Sequence, residues 1–94
     1  MNTKTYTYTS KIYPADRGGA YTIFPYNVRQ EFGKGRAKVH VTFDGYPYDG
    51  SVVNMGVKDD NGDICYIVGI RKDIQQAIGK SIGDQVEMTL QERE

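Results

Sequence analysis

RAKVHVTFDGYPYDGSVVN, residues 36–54, alternates apolar and polar side chains on either side of a two-residue turn, and its reading decides the fold. Val39, Val41 and Phe43 fall on one phase of a period of two, Lys38, His40 and Thr42 on the other, as in a strand with one buried face. Asp44-Gly45 then supplies the residues that a tight hairpin needs, because both central positions of a type I′ turn take positive φ. A strand over Arg36–Asp44 and a return strand over Tyr46–Asn54 follow.

Working outward toward the N-terminus, Lys4–Tyr13 alternates again, with Tyr6, Tyr8 and Ile12 on one face and Thr5, Thr7 and Thr9 on the other. The Thr-rich run from Thr3 to Thr9 suits a sheet edge. Asp16-Arg17-Gly18-Gly19 reads as a turn, and Tyr21, Ile23 and Phe24 as a second strand ended by Pro25. Pro25 suits an early helical position; Val28 and Phe32 stand four apart, and Gly33 closes a two-turn helix.

Toward the C-terminus, the polar stretch Lys58–Asp63 contains a second hairpin signal, Asn61-Gly62. The apolar run Ile64–Val68 suits a strand buried on both faces. Asp73 opens a short helix with Ile74, Ala77 and Ile78 on its apolar stripe, and Gly79 ends it. Gln85–Gln91 is the last strand, with Val86, Met88 and Leu90 inward, and Glu92-Arg93-Glu94 reads as a frayed end.

The two halves share a grammar. Val28-x-x-x-Phe32-Gly33-Lys34 followed by Val39, Val41 and Phe43 repeats, about 46 residues on, as Ile74-x-x-x-Ile78-Gly79-Lys80 followed by Val86, Met88 and Leu90. Neither unit can bury its apolar face alone, so the expectation is a mainly β fold of six strands and two short helices, two related halves completing one barrel-like core.

Ninety-four residues with 38% hydrophobic and 26% charged content fit one domain, residues 1–94. Twelve basic and twelve acidic residues cancel, which argues against a polybasic nucleic-acid coat. The charge is nevertheless uneven. Residues 1–47 carry seven Lys and Arg and three acids, residues 48–94 five and nine. The N-terminus has no apolar signal region and no stretch is long enough for a bilayer span, so a cytoplasmic location without membrane association is expected. One cysteine and one histidine exclude an internal disulfide and any spaced zinc site, and no cofactor motif is present.

The runs FPYNVRQEFGKGRAKVHVTFDGYPYDGSVVNMG (24–56) and IRKDIQQAIGKSIGDQVEMTLQ (70–91) resemble the domain-of-unknown-function family 1905. The signatures are Phe24-Pro25 leading to Phe32-Gly33, the Asp44–Tyr48 hairpin running to Ser51 and Met55-Gly56, and Ile78-Gly79-Lys80 with Gly83-Asp84-x-Val86. The resemblance implies a six-stranded double-split β-barrel, a pseudobarrel capped by two short helices, similar in architecture to AbrB-like and MazE-like DNA-binding folds. It implies no activity.

Candidate chemistry is sparse. Asp59, Asn61 and Asp63 are spaced like the first ligands of a calcium loop, but Ile64 and Ile70 stand where that loop needs Gly and Glu; a solvated hairpin tip remains. Cys65 lies in the most apolar run and reads as buried and inert. Asp49, Asp73 and Asp84 could in principle pair in a cleft, but Asp73 reads as a helix-start residue and Asp84 as a turn residue, which argues against hydrolase chemistry. Arg29, Lys34, Arg36, Lys38 and His40 form a candidate basic face with Tyr46 and Tyr48 near it, and Tyr8, Tyr21, Tyr46, Tyr48 and Tyr66 are candidates to line a concavity. The favoured reading of the uneven charge is that the opposite halves attract each other in a folded monomer or dimer. The expectation is a non-catalytic binding or interaction module, monomer or homodimer, whose partner is a protein or an anionic small molecule. Its candidate binding residues are Arg36, Lys38, His40, Tyr46, Tyr48, Arg71 and Lys72. The alternatives are an AbrB-like DNA-binding regulator and a small-ligand carrier or small enzyme.

Overall fold

The computed structural model describes residues 4–15 and 18–93. Asp16 and Arg17 of the expected turn, Thr3 of the expected edge and Glu94 of the expected frayed end lie outside the described residues.

Asp44 and Gly45 take φ of 49° and 87°, and the tight turn they make pairs β4 (Ala37–Phe43) antiparallel with β5 (Tyr46–Lys58). The expected inward set, Val39, Val41 and Phe43, is fully buried. β5 runs four residues beyond its expected end at Asn54 because it also pairs with β6 (Ile64–Gly69), across a register shift between Asn54 and Lys58. β3 (Ala20–Phe24) pairs with β6 only from Tyr66 to Gly69. Ile64 and Cys65 therefore extend past β3: Ile64 is exposed and Cys65 half-buried, and only Tyr66, Ile67 and Val68 show the expected burial on both faces.

The segment expected as one strand over Lys4–Tyr13 is two: β1 (Thr5–Lys11), paired with β7 (Gln85–Glu92), and β2 (Tyr13–Pro14), paired with β3. Between them, Ile12 leaves the ladder because its N–H donates to Asp84 O (2.9 Å) and its carbonyl accepts from Gly83 N (2.9 Å). Pro14 brings no donor of its own. Among the described residues the sheet thus has seven strands in the order β1-β7-β4-β5-β6-β3-β2, an antiparallel sheet curled into a half-barrel and not the expected six-stranded closed double-split barrel. Across the open side, β1 and β3 meet through side chains. Ser10 Oγ accepts from Ile23 N (3.0 Å), and Tyr6 packs edge-on against Phe24.

Both expected helices form, shorter or shifted. α1 (Val28–Phe32) is capped by Asn27, whose side chain accepts from Gln30 N, so Pro25 lies outside the helix rather than in its first turn. α2 (Lys72–Ile78) starts at Lys72, one residue before the expected Asp73, and buries Ile74 while Ala77 is exposed. Gly33 and Gly79 end them with φ of 73° and 70°, the left-handed conformation that favours glycine at this position.

The units expected to be related are β3-α1-β4 and β6-α2-β7. β3 lies antiparallel to β6 with Thr22 opposite Val68, and β4 antiparallel to β7 with Thr42 opposite Thr89, their hydroxyls hydrogen-bonded. These two central pairs are each about one repeat period apart, as an approximate two-fold axis through both ladders requires. The ion pairs follow it. Lys34 after α1 reaches Glu92 at the end of β7 (2.7 Å), and Lys80 after α2 reaches Asp44 at the end of β4 (3.5 Å). Each half thus sends a lysine to the other's acid. The expected fraying of Glu92 and Arg93 does not occur: the Glu92 side chain is 3% exposed, and Arg93 donates from its N–H to Lys38 O (2.8 Å) and from Nε to Val39 O (3.1 Å).

Candidate functional site

The chain leaves β6 at Gly69, passes Ile70 and Arg71, and enters α2 at Lys72; beneath this passage lies a cleft of about 470 Å³. Ile70 is locked at its floor, with its N–H donating to Ala20 O (3.1 Å) and its carbonyl accepting from the Gln75 side-chain amide (3.2 Å). β5 supplies the opposite wall through Tyr48, Gly50 and Ser51, while Gly18 to Ala20 and Ile82 complete the lining. The volume suits a small molecule.

Tyr48 reaches the cleft because of Gly50. The ring lies over that glycine so closely that a Cβ there would come within 2.9 Å of Tyr48 Cε2. At the rim stand Arg71 and Lys72, both exposed. Asp73 accepts from Arg71 Nε at 3.1 Å, which orients the guanidinium while occupying one of its five N–H donors. The surface is an apolar and aromatic floor under two cations, able to hold an amphipathic anion by burial at one end and charge at the other.

Three of the seven expected binding residues, Tyr48, Arg71 and Lys72, converge here; the other four do not. Directly opposed residues of a ladder share a face, and Tyr46 and Tyr48 oppose Phe43 and Val41 whereas His40 opposes Asp49. The pleat therefore turns both tyrosine side chains toward one face and Lys38 and His40 toward the other, with Arg36 in the same phase just before β4, so these cations and tyrosines do not share one sheet face. His40 hydrogen-bonds Asp49 beside a second groove of about 240 Å³, which Tyr48 also borders, and Arg36 borders another open groove with Lys34 and Met55. Tyr46 sits 41% exposed at the hairpin and away from the cleft.

Of the five tyrosines expected around a concavity, only Tyr48 lines this cleft. Tyr66 is buried in the core, Tyr21 stacks on Tyr13 (5.5 Å, 19°), and Tyr8 packs edge-on against Phe24 and Tyr26. Desolvation of Tyr8, with Tyr26 beside it, pushes its phenol well above the ordinary range. The loop at Asp59 is a hairpin tip: Asp59 Oδ1 accepts from the N–H groups of Asn61 (2.9 Å) and Asp63 (3.0 Å). Cys65 has its thiol pKa raised by burial and by the Asp59 and Asp63 carboxylates, the opposite of what a nucleophile needs. Among the described residues no three His, Cys, Asp or Glu side chains are grouped to hold a metal, and no helix is long and apolar enough to cross a membrane.

Gly50, Gln75 and Ile82 belong to the cleft and were not among the expected binding residues. Their signal was available only for Gly50, which stands two residues beyond Tyr48 on the same inward phase. A model of the family described as "Domain of unknown function (DUF1905)" matches residues 8–90. No curated protein matches the chain.

Proposed function

The chain belongs to the DUF1905 family of domains of unknown function, and we propose that it is a cytoplasmic, non-catalytic binding module whose partner is a small organic anion held in the cleft at the start of α2. The observation that carries this reading is the meeting of Tyr48, Arg71 and Lys72 around one apolar concavity. Arg71 and Lys72 attract the anion, and the floor beneath them removes its apolar part from water. Binding rather than turnover is favoured because, among the described residues, the cleft wall carries a phenol, the Ser51 hydroxyl, an amide and two cations, and no thiol, imidazole or carboxylate lines it to activate that hydroxyl.

A thermal-shift screen of organic carboxylates and phosphates against wild type and an Arg71→Gln/Lys72→Gln variant tests the reading. A ligand at 100 times its Kd adds about 2.7 kcal/mol to stability, a rise in Tm of about 10–20 °C for a domain of this size. The expected result is a rise in wild type that the variant loses. A rise that survives in the variant, or that vanishes instead in Arg36→Ala/Lys38→Ala, would overturn it. A second reading, a DNA-binding regulator, is favoured by the exposed cations Arg36, just before β4, and Lys38 on it, with His40 beside them, although Asp49 already engages His40. Duplex DNA binding that weakens steeply with salt and falls in Arg36→Ala/Lys38→Ala would promote it.

A further inference from the structure

The two halves differ at the cleft. β7 pairs Leu90, Met88 and Val86 with Tyr6, Tyr8 and Ser10; β4 pairs the repeat-equivalent Phe43, Val41 and Val39 with Tyr46, Tyr48 and Gly50. Tyr8 and Tyr48 therefore hold equivalent stations. In the first half the space against this station is filled by rings. Phe24 stands edge-on to Tyr8 (5.8 Å, 72°) and to Tyr6 (5.3 Å, 78°), and Tyr26 stands edge-on to Tyr8 (6.4 Å, 81°). One period later, the positions of Phe24 and Tyr26 are Ile70 and Lys72, both lining the cleft. Two rings have become a smaller aliphatic side chain and a cation, and the space they fill in the first half is open in the second. Ser10 has likewise become Gly50, which frees room for the Tyr48 ring to lie along the strand.

We propose that the anion is a planar aromatic carboxylate whose ring takes the place that Phe24 and Tyr26 fill in the first half; this rests on the reading of the cleft as an anion site. The ring meets Tyr48 edge-to-face, the arrangement that the quadrupoles of two aromatic groups prefer. The acid reaches Arg71 and Lys72. Among the described residues, two cations and the Asp73 carboxylate leave the rim with one net positive charge, which matches a carboxylate monoanion better than a phosphate dianion.

The test is an amide NMR titration of the protein with 2-naphthoate and with its saturated counterpart, decahydro-2-naphthoate. Both carry the same charge and nearly the same apolar bulk, and only one has a π system. Expected are shifts at Tyr48, Ile70–Lys72 and Ala20 for both, with 2-naphthoate bound about 2- to 10-fold more tightly. Gly50→Ala, which pushes the Tyr48 ring from its seat, should erase that preference while binding still depends on Arg71. Lys72→Tyr, which restores the residue of the first half, should weaken 2-naphthoate at least about 10-fold in a protein with an otherwise native spectrum. Equal affinity of the two acids in wild type would overturn the aromatic assignment and leave the anion site standing. Absence of any shift in the cleft with either acid would overturn both.

Discussion

Replacing Tyr8 by Phe should make the protein more stable, and by a larger margin at high pH. The Tyr8 ring packs among Phe24, Tyr26 and the core, while its hydroxyl is shielded from solvent and has no hydrogen-bond partner among the described residues. Such a buried, unsatisfied group costs about 1–3 kcal/mol, and phenylalanine keeps the ring while removing the oxygen. A gain of about 1–2 kcal/mol at pH 7 follows, or about 4–8 °C in Tm for each kcal/mol. The pH effect has the same origin. The folded-state pKa of Tyr8 is raised above its ordinary value of 10.0, chiefly by desolvation, so below pH 10 both folded and unfolded chains carry the proton and stability is unaffected. Above pH 10 the unfolded chain ionises while the folded one does not, and stability falls by about 1.4 kcal/mol per pH unit until the folded pKa is reached. Urea unfolding followed by circular dichroism at pH 7 and pH 11 measures both quantities. Wild type should lose about 1.4 kcal/mol more than Tyr8→Phe between the two pH values. A Tyr8→Phe protein that is less stable at pH 7, or that loses as much as wild type at pH 11, would refute the reasoning.

Other consequences are equally open to measurement. Ser10→Ala leaves Ile23 N–H without its acceptor on the open side of the sheet, and should cost about 1–2 kcal/mol and speed hydrogen exchange at Ile23. A smaller loss with unchanged exchange would remove Ser10 as the link between β1 and β3. Lys34→Met should cost about 2–3 kcal/mol in urea unfolding because the Glu92 carboxylate is buried, and Lys80→Met under about 1 kcal/mol because Asp44 is 28% exposed. Equal losses would mean that burial does not set the value of these pairs. Cys65, its thiol pKa raised, should react with iodoacetamide at pH 8 more slowly than in the urea-unfolded chain; faster reaction in the folded protein would contradict the environment described.

The hairpin at Asp44-Gly45 was legible because local turn chemistry and the period-two pattern agree over Arg36–Asn54, and the helix ends were legible because Gly33 and Gly79 carry their own conformational signal. The break at Ile12 was not. It arises from two hydrogen bonds to Gly83 and Asp84, more than half the chain away, and no feature of Lys4–Tyr13 announces them. Glu92 and Arg93 look like a frayed polar tail in sequence, yet they are held by Lys34 and by the carbonyls of Lys38 and Val39, partners that only the closing of β7 on β4 brings near.

Most of the cleft was legible as residue types but not as a cluster. Arg71, Lys72 and Tyr48 stand out as surface cations and an aromatic; their meeting depends on how β5, β6 and α2 pack. The separation of His40 from Tyr48 was within reach. A two-residue hairpin that opposes Phe43 to Tyr46 must oppose Val41 to Tyr48, which places Tyr48 inward and His40 outward. The contrast between the filled first half and the open second half was also latent in the repeat, as Phe24 and Tyr26 against Ile70 and Lys72, but it acquires meaning only when the β1–β7 and β4–β5 registers set Tyr8 and Tyr48 at equivalent stations.

Intermolecular NOEs from a bound aromatic carboxylate are the measurement that bears hardest on the cleft. With 2-naphthoate, NOEs from the ligand ring to the Tyr48 ring and to the Ile70 and Ile82 methyl groups are expected, and they should disappear in Arg71→Gln/Lys72→Gln at the same ligand concentration. NOEs to Pro47 and Thr42 beside His40, or to Met55 beside Arg36, would place the bound molecule elsewhere and contradict the assignment of the cleft.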